Sequence, residues 1–240
     1  TGFTQDESGV TLRLDNGSSA RGDVLVACDG IHSAVRRRMI PDEPPPASPG
    51  IEMWRGVSLS PPVLDGASMA LIGYRTVGKL IIYPIERVRD DGLQWISWNA
   101  EVPREGPPAT TWIEPGALAD LLPLFGDWRF DWLDVPKLLA ASEAILRTPM
   151  VDREPLERWS QGRVTLVGDA AHPMYPRGAN GAGQAILDAR ALAACLARSP
   201  HEPVAALAAY DALRREAANR VVLAGRTASP DRVLEIVYQR

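Results

Sequence analysis

Residues 168–183 read GDAAHPMYPRGANGAG, a loop rich in glycine and proline between two regular patterns. The apolar run at 164–167 before it predicts a buried strand, and the pattern at 184–196 after it predicts a helix. Small residues let backbone approach a ligand, and a helix start offers free N–H groups with a partial positive charge. The acid at the strand end, Asp169, can accept hydrogen bonds from hydroxyl groups. This order is typical of a site for a large polar cofactor, although a glycine-rich surface loop is the alternative when the segment is taken alone.

The composition is that of an ordinary globular protein. The 240 residues are 45% hydrophobic and 23% charged, which suffices for one large domain or two modest ones. A net charge of -4 gives no sign of a nucleic-acid surface, so no nucleic-acid partner is expected. No apolar run approaches the ~20 residues of a membrane span, and the first residues lack a secretory signal pattern. We therefore expect no membrane partner and a cytoplasmic location.

Cysteine and histidine usage bears on redox state and metals. Cys28 and Cys195 lie in apolar contexts, which predicts two buried thiols rather than a disulfide and agrees with a cytoplasmic protein. The three histidines, His32, His172 and His201, do not have the spacing of metal ligands, so no metal is expected.

A second strand–loop–helix pattern lies near the start of the chain. The run at 23–28 predicts a strand buried on both faces, and residues 33–39 predict a short basic helix capped by Ser33. Alternating residues at 10–14, followed by an Asp-Asn-Gly turn, predict a hairpin that leads into the strand at 23–28.

The middle of the chain has a different residue pattern. Proline-rich residues 41–49 predict a linker or surface loop. Short strand-like runs separated by turn signals then predict an antiparallel sheet, at 52–59, 70–74, 79–84 and 93–99. Further along, helices are predicted at 115–125, 132–141 and 204–223, and extended segments at 144–149 and 151–153.

The segment CDGIHSAVR, residues 28–36, is a second candidate site. An acid and a glycine at the carboxyl end of a buried strand stand where open α/β sheets bind ligands. Asp29 either accepts hydrogen bonds from a ligand or caps the following helix, with Arg36 as its ion-pair partner in the second case.

Together the two segments resemble motifs of the class A flavoprotein monooxygenases, the aromatic-ring hydroxylases related to para-hydroxybenzoate hydroxylase. The D-G-x-x-S-x-x-R motif of that family matches residues 29–36, and G-D-A-A-H-x-x-x-P matches residues 168–176. Further family elements follow in the same order, namely W-R-G at 54–56, Y-P at 83–84 and Y-x-x-x-R at 210–214. The residue pattern at 174–182 is similar to that of the phenazine and salicylate hydroxylase branches of the family.

The resemblance implies an α/β fold with an α+β insertion, in which an incomplete Rossmann-like FAD/NAD(P)-binding domain is combined with an antiparallel substrate-binding sheet. The implied domains are the end of the FAD-binding domain at 1–40, the substrate-binding sheet at 41–150, the rest of the FAD-binding domain at 151–200 and a helical segment at 201–240. The family begins with a G-x-G-x-x-G strand–turn–helix that holds the FAD pyrophosphate and adenosine. These 240 residues lack that motif, so the chain resembles the carboxyl-terminal part of such an enzyme.

The resemblance also implies a function. An FAD-dependent monooxygenase of this kind uses NADH or NADPH and O2 to hydroxylate a small aromatic substrate by way of a flavin C4a-hydroperoxide. Alternatives are another FAD-dependent oxidoreductase on the same scaffold, such as an epoxidase or a reductase, or a truncated module without catalytic activity. The oligomeric state stays open, with a homodimer as one option.

Several cofactor contacts are implied by the match. Asp169 is similar to the acid that binds the ribityl hydroxyls, and the peptide groups of Ala182 and Gly183 match those that face the flavin pyrimidine edge. Pro176 matches a proline that lies against the isoalloxazine near the oxygen site, which makes it the implied catalytic position. Asp29 matches an acid near the pyrophosphate. The remaining implied cofactor positions are Gly30, Gly168, Gly178 and Gly181.

The middle sheet carries the candidate substrate contacts. These are aromatic and basic residues, namely Trp54, Arg55, Tyr74, Tyr83 and Trp98. Each aromatic residue is alternatively an ordinary core residue, and Arg55 is either an anchor for an anionic substrate or a plain charge on the sheet. His172 is either a general base or, as the stronger interpretation, a structural loop residue, and Arg36 ties helix to loop if it is structural.

Overall fold

The computed structural model describes residues 2–74, 77–104 and 112–227. In chain order the strands and helices are β1 Gly2–Asp6, β2 Gly9–Arg13, β3 Ser19–Gly22, β4 Leu25–Ala27, α1 Ala34–Met39, β5 Ile51–Ser60, β6 Ala70–Tyr74, β7 Gly78–Pro84, β8 Gln94–Pro103, β9 Glu114–Pro115, α2 Leu118–Phe125, β10 Arg129–Phe130, β11 Leu133–Asp134, α3 Val135–Ala140, β12 Ser142–Pro149, β13 Ser160–Gln161, β14 Val164–Leu166, α4 Gly181–Arg198 and α5 Pro203–Thr227. Single 3-10 turns lie at Gly168–Ala170 and Arg177–Ala179.

The described residues form two compact units. One unit consists of the described parts of residues 1–47 and 151–230, and the other of the described parts of residues 48–150. The chain therefore leaves the first unit, builds the second, and returns to the first.

The first unit is organised by a parallel strand pair. β14 pairs in parallel with β4, so that Val164 lies opposite Leu25 and Leu166 opposite Ala27, and β13 extends this sheet on the other side of β14. Because parallel strands end at the same edge, the two loops that follow β4 and β14 start side by side. The N–H of Val167 donates to the Ala27 carbonyl at 3.0 Å, which continues the register to that edge.

The core of the first unit packs this sheet against α4 and α5. Trp159, Leu166, Leu207 and Tyr210 are fully or almost fully buried there. Both helices are rich in alanine, and burial of their apolar stripes supplies the main stabilising contribution.

The predicted hairpin is partly wrong. β2 pairs antiparallel with β3, not with β4, and β1, β2 and β3 form a separate sheet. β4 instead takes β14 as its partner, because its apolar side chains pack against the core of this unit. Ala27 is buried but Leu25 and Val26 are half-buried, so the predicted burial of this strand on both faces is only partly confirmed. The predicted helix cap at Ser33 is confirmed, since its hydroxyl accepts the N–H of Arg36 at 2.9 Å.

The second unit is built on a six-stranded antiparallel sheet with the order β6-β7-β8-β5-β12-β9. The four predicted strand runs all lie in it. The predicted helices begin later than expected, at Leu118 and Val135, because the residues before them form the short strands β9 and β11. Asp134 caps α3 by accepting the N–H of Lys137.

Residue alternation divides the two faces of this sheet. Alternate residues of β5, β7 and β8 pack on α2 and α3 in a buried cluster that includes Leu80, Ile82, Ile96, Trp98, Leu121, Phe125 and Leu139. The intervening residues belong to the opposite face.

The two units combine an α/β sheet that contains a parallel strand pair with antiparallel sheets, as the sequence predicts. Within residues 2–74, 77–104 and 112–227, no helix combines the length and the apolar character needed to cross a membrane.

Candidate functional site

A cleft of about 780 Å³ opens at the edge where β4 and β14 end. Its walls come from both strand ends, from the loop after β14 and from the start of α4. The lining residues are Cys28, Gly30, Val167, Gly168, Asp169, Met174, Pro176, Ala179, Gly181, Ala182, Ala185 and Ala189. The two candidate segments, far apart in sequence, thus meet in one cavity.

The turn at Gly168 creates the approach to this cleft. Gly168 has a φ of +60°, a left-handed conformation that glycine adopts without strain, and a Cβ there would lie 3.2 Å from the Cβ of Ala185. The next residue, Asp169, is exposed. Its Oδ1 lies 4.0 Å from the place that a Cβ on Gly181 would occupy, so the carboxylate stands beside the start of α4.

The start of α4 is open to a ligand. Asn180 is its N-cap residue but makes no side-chain hydrogen bond to the helix, and the first turn contains no acidic residue. The free N–H groups and the positive end of the helix dipole therefore favour a polar or anionic group at this point.

The sequence-predicted cofactor positions divide into two groups. Gly30, Gly168, Asp169, Pro176, Gly181 and Ala182 line the cleft. Asp29, Gly178 and Gly183 are absent from its lining. The sequence interpretation missed Ala185 and Ala189, which share one helix face with Ala182, and this helical spacing is the signal that points to them.

Asp29 caps α1. Its Oδ2 accepts the N–H of Ala34 at 2.8 Å and that of Val35 at 3.4 Å. The alternative of an ion pair with Arg36 is wrong, because Arg36 pairs with Glu43 instead.

Arg36 ties the two candidate segments together. It is 1% exposed, and its Nη1 donates to the carbonyls of Ala170 and Ala171 at 3.1 and 2.8 Å. Its charge is balanced by Glu43, which also accepts a hydrogen bond from the buried Arg153. The structural interpretation of Arg36 is confirmed.

Cys28 departs from the prediction of two buried thiols. Cys195 is buried, but Cys28 is exposed and lines the cleft, because it follows the last residue of β4 at the open edge of the sheet. Partial desolvation and the nearby charges of Asp29 and Asp188 raise the pKa of the Cys28 thiol, which favours the neutral form.

A buried polar network lies behind the cleft. Asp188, in α4, is 0% exposed and accepts three hydrogen bonds, two from the loop between β14 and α4 and one from α5. The donors are the Gly168 N–H at 3.2 Å, His172 Nε2 at 2.5 Å and Arg214 Nε at 2.8 Å. His172 is itself 1% exposed, and its ring lies 5.0 Å from that of Trp159. This enclosed setting supports the structural interpretation of His172.

The candidate substrate residues lie on different faces of the second unit's sheet. Trp54 and Trp98 are 5% and 0% exposed and belong to the cluster covered by α2 and α3. Trp98 Nε1 donates to Ser58 Oγ and Ser142 Oγ, at 3.1 and 2.9 Å. Tyr74 ends β6 opposite Gly78 and is half-buried.

Arg55 and Tyr83 occupy the other face of that sheet. Arg55 lies opposite Asn99 on one side and Leu146 on the other, and Tyr83 lies opposite Ser97. Arg55 is exposed, and within the described part of the chain it has no ion-pair partner. A guanidinium whose directly opposite cross-strand neighbours are uncharged is available for an external anion.

Comparison with known proteins gives the relationships of the whole chain. The profile of the family described as "FAD binding domain" matches residues 1–224. The chain is 46% identical over 234 residues to phenazine 1,6-dicarboxylic acid hydroxylase of Lysobacter antibioticus, covering 93% of this chain and 57% of that protein.

Two solved structures have the same fold. Klebsiella pneumoniae HpxO complexed with FAD and uric acid gives a TM-score of 0.79 at 29% identity, covering 99% of this chain and 60% of that one. A salicylate hydroxylase substrate complex gives a TM-score of 0.73 at 29% identity, covering 95% and 59%. The chain thus spans less than two thirds of the length of each of these proteins.

Proposed function

Since the chain belongs to the FAD binding domain family, we propose that the protein is a flavin-dependent monooxygenase that hydroxylates a small aromatic substrate with NAD(P)H and O2. The observation that carries the proposal is the cleft in which Asp169, the glycine-rich turn and the uncapped start of α4 meet. The first unit would serve as the FAD-binding domain and the second as the substrate-binding domain.

The chemistry of the cleft fits the flavin part of FAD. Its walls are mostly glycine and alanine, which leave room for a flat ring, and its charged lining residue, Asp169, lies beside the start of α4. Bound FAD would supply the redox chemistry and the activation of O2, whereas the protein supplies position, electrostatics and exclusion of water.

We assign the cofactor contacts to individual residues of the first unit. Asp169 would accept hydrogen bonds from the ribityl hydroxyls, because its exposed carboxylate stands in the cleft. The N–H groups of Ala182 and Gly183 would stabilise negative charge on the pyrimidine edge of the ring. Pro176 would lie against the ring as an apolar wall, and Asp29 would act through its cap on α1 near the pyrophosphate.

For the substrate, the sheet face opposite α2 and α3 favours Arg55 and Tyr83 as contacts, because Arg55 is exposed there and Tyr83 is half-buried. An aromatic substrate with an acidic group would place that group at the unpaired guanidinium. Trp54, Trp98 and Tyr74 would contribute by shaping the sheet from its helix-covered side, because their side chains are buried or half-buried there.

The cofactor assignment is tested by titrating the purified chain with FAD. Bound flavin gives an absorbance band at about 450 nm, and its fluorescence differs from that of free flavin. We expect saturable binding with one FAD per chain. A chain that is folded by circular dichroism and gains no flavin would overturn the cofactor assignment.

The reaction is tested by following NADH and NADPH oxidation with a panel of hydroxybenzoates, salicylate and phenazine carboxylates. We expect oxidation that is stimulated by at least one of these aromatics and yields a hydroxylated product. Oxidation that produces only hydrogen peroxide with every compound would contradict the hydroxylase assignment.

A cytoplasmic location and a homodimer belong to the same proposal. Cell fractionation would test the location, and sedimentation would test the oligomeric state.

A further inference from the structure

The carboxylate of Asp188 joins α4 to the end of β14, to the loop that follows β14 and to α5. It comes from the second turn of α4 and receives hydrogen bonds from Gly168 at the end of β14, from His172 in the following loop and from Arg214 in α5. It is completely buried, and a buried carboxylate is tolerated only when its oxygens are well paired.

The network also reaches the first turn of α4. Arg214 Nη2 donates to Gln184 Oε1 at 2.7 Å, and its Nε donates to Asp188. One guanidinium therefore binds two side chains of α4 that are one helical turn apart. Tyr210, four residues earlier in α5, donates its hydroxyl hydrogen to the Leu166 carbonyl of β14 at 3.1 Å. The strand end and the helix start are therefore both tied to α5.

The position of these contacts relates them to the cleft. Ala185 and Ala189 line the cleft on one side of α4, and Asp188 leaves the same helix toward the buried side. Gly168 lines the cleft, and its N–H is held by Asp188. Any lengthening of this contact would move the Gly168–Asp169 turn away from the start of α4.

We propose that Asp188, with Arg214 and His172, is a positioning residue that holds the Gly168–Asp169 turn at a fixed distance from the start of α4 and so sets the affinity for the flavin. Asp188 does not touch the cofactor. The inference rests on the proposed function, in that the cleft is the FAD site. It adds three residues, none of which lines the cleft, to the machinery that makes the site.

The chain offers a matched control in Asp211. This carboxylate is also buried, accepts two backbone N–H groups, from Trp159 and Ser160, and pairs with an arginine of α5, Arg215. It makes none of its hydrogen bonds to cleft-lining residues. D188N and D211N therefore remove the same kind of charge, in one case at the cleft and in the other away from it.

The experiment measures FAD affinity of wild type, D188N and D211N by flavin fluorescence, at a temperature where circular dichroism shows all three to be folded. We expect D188N to bind FAD at least about tenfold more weakly, the lower end of the effect that outer partners have at metal sites, and D211N to stay within about twofold. The visible circular dichroism of the bound flavin is expected to change in D188N only.

Two substitutions of Arg214, one that keeps the positive charge and one that removes it, provide a second comparison that leaves the Asp188 carboxylate in place. R214K keeps the positive charge beside Asp188 and is expected to retain more affinity than R214Q. If D188N does not fold, the comparison of R214K with R214Q still tests the positioning role.

The outcomes separate the two proposals. If wild type does not bind FAD, the proposed cofactor site fails and this inference fails with it. If wild type binds FAD but D188N and R214Q bind it equally well, or D211N loses as much affinity as D188N, only the positioning role is overturned.

Discussion

Asp169 and Asp188 are two carboxylates of the same strand–loop–helix segment in opposite surroundings. Asp169 is exposed at the cleft, whereas Asp188 is fully buried and holds three donors. The first is free to bind a ligand and the second is committed to the fold. Residue type alone does not distinguish them, because the distinction comes from which neighbours each side chain meets.

The role of Asp169 leads to a prediction on FAD binding. D169N should weaken FAD binding about tenfold or more, because a charge-assisted hydrogen bond is lost, as would fit a contribution of about 1.5–3 kcal/mol. The thermal midpoint should hardly change, since an exposed substitution away from structural contacts alters stability by about 0.5 kcal/mol or less. Fluorescence titration and thermal unfolding measure the two effects. D131N, an exposed acid outside the first unit, serves as the control, and equal FAD affinity in D169N and D131N would contradict the assignment.

The exposed Cys28 gives a second test at the residue scale. Iodoacetamide should modify Cys28 and leave the buried Cys195 intact, and saturating FAD should protect Cys28, because that thiol lines the cleft. The raised pKa of Cys28 means that its alkylation rate should rise with pH only above the usual range of a free thiol. Peptide mass spectrometry after timed labelling measures the extent of alkylation at Cys28 and at Cys195. An alkylation rate of Cys28 that is unchanged by FAD would place the flavin elsewhere.

At the scale of elements, strand register decides which side chains of the sheet are available. In β5, Trp54 and Arg55 are adjacent in sequence, yet Trp54 is 5% exposed on the helix-covered face while Arg55 is exposed on the other. The period-2 alternation of a strand explains the difference, but only the packing of α2 and α3 shows which face is covered.

The exposed side chain of Arg55 in β5 leads to a prediction on substrate binding. In the active protein, R55Q should raise the KM for a carboxylated aromatic about tenfold and have a smaller effect on kcat, because the lost contact orients a part of the substrate remote from the chemistry. The KM for a neutral aromatic analogue should stay the same. R87Q removes an exposed charge between β7 and β8 and is the control. A KM for carboxylated substrates that is equal in R55Q and R87Q would show that Arg55 is a plain surface charge.

At the scale of the whole molecule, the first unit is assembled from segments that are distant in the chain. The parallel pairing of β4 with β14 and the contacts of Arg36 with Ala170 and Ala171 join the two chain segments that form this unit, which are separated in sequence by residues 48–150. Charged groups that are buried where these segments meet make its stability dependent on pH.

The stability of this unit should respond to acid through Asp188. Burial by itself raises the pKa of this carboxyl, but hydrogen bonds from His172, Arg214 and the Gly168 N–H lower it below its ordinary value. A lowered folded-state pKa contributes stability above the unfolded value of about 3.9, and this contribution is lost as pH falls through the folded-state pKa.

The difference in unfolding free energy between wild type and D188N should therefore narrow as the pH is lowered from about 6 to about 3. Urea unfolding at a series of pH values measures this difference. Asp6 and Asp65 also have lowered pKa values but are unchanged in D188N, so their effects cancel in the comparison. A difference that stays constant over this range would show that the ionisation of Asp188 does not contribute to stability.

The sequence alone determined the local pieces of this protein. The β14–loop–α4 segment, the short helix capped by Ser33 and the strands of the sheet between residues 51 and 103 follow from periodicity, turn residues and capping, which act over a few neighbouring residues. The two motif segments also indicated the cofactor and the family, since backbone close to a ligand demands small residues at particular positions.

Which of these pieces meet depends on the packing of the folded chain. The pairing of β4 with β14 rather than with the hairpin, the exposure of Cys28 and the opposite placement of Trp54 and Arg55 depend on partners distant in the chain. The same is true of Asp188, whose neighbours at Gly168 and Arg214 come from different elements. Burial and hydrogen bonding between distant segments are properties of the packed fold, and no local pattern of residues contains them.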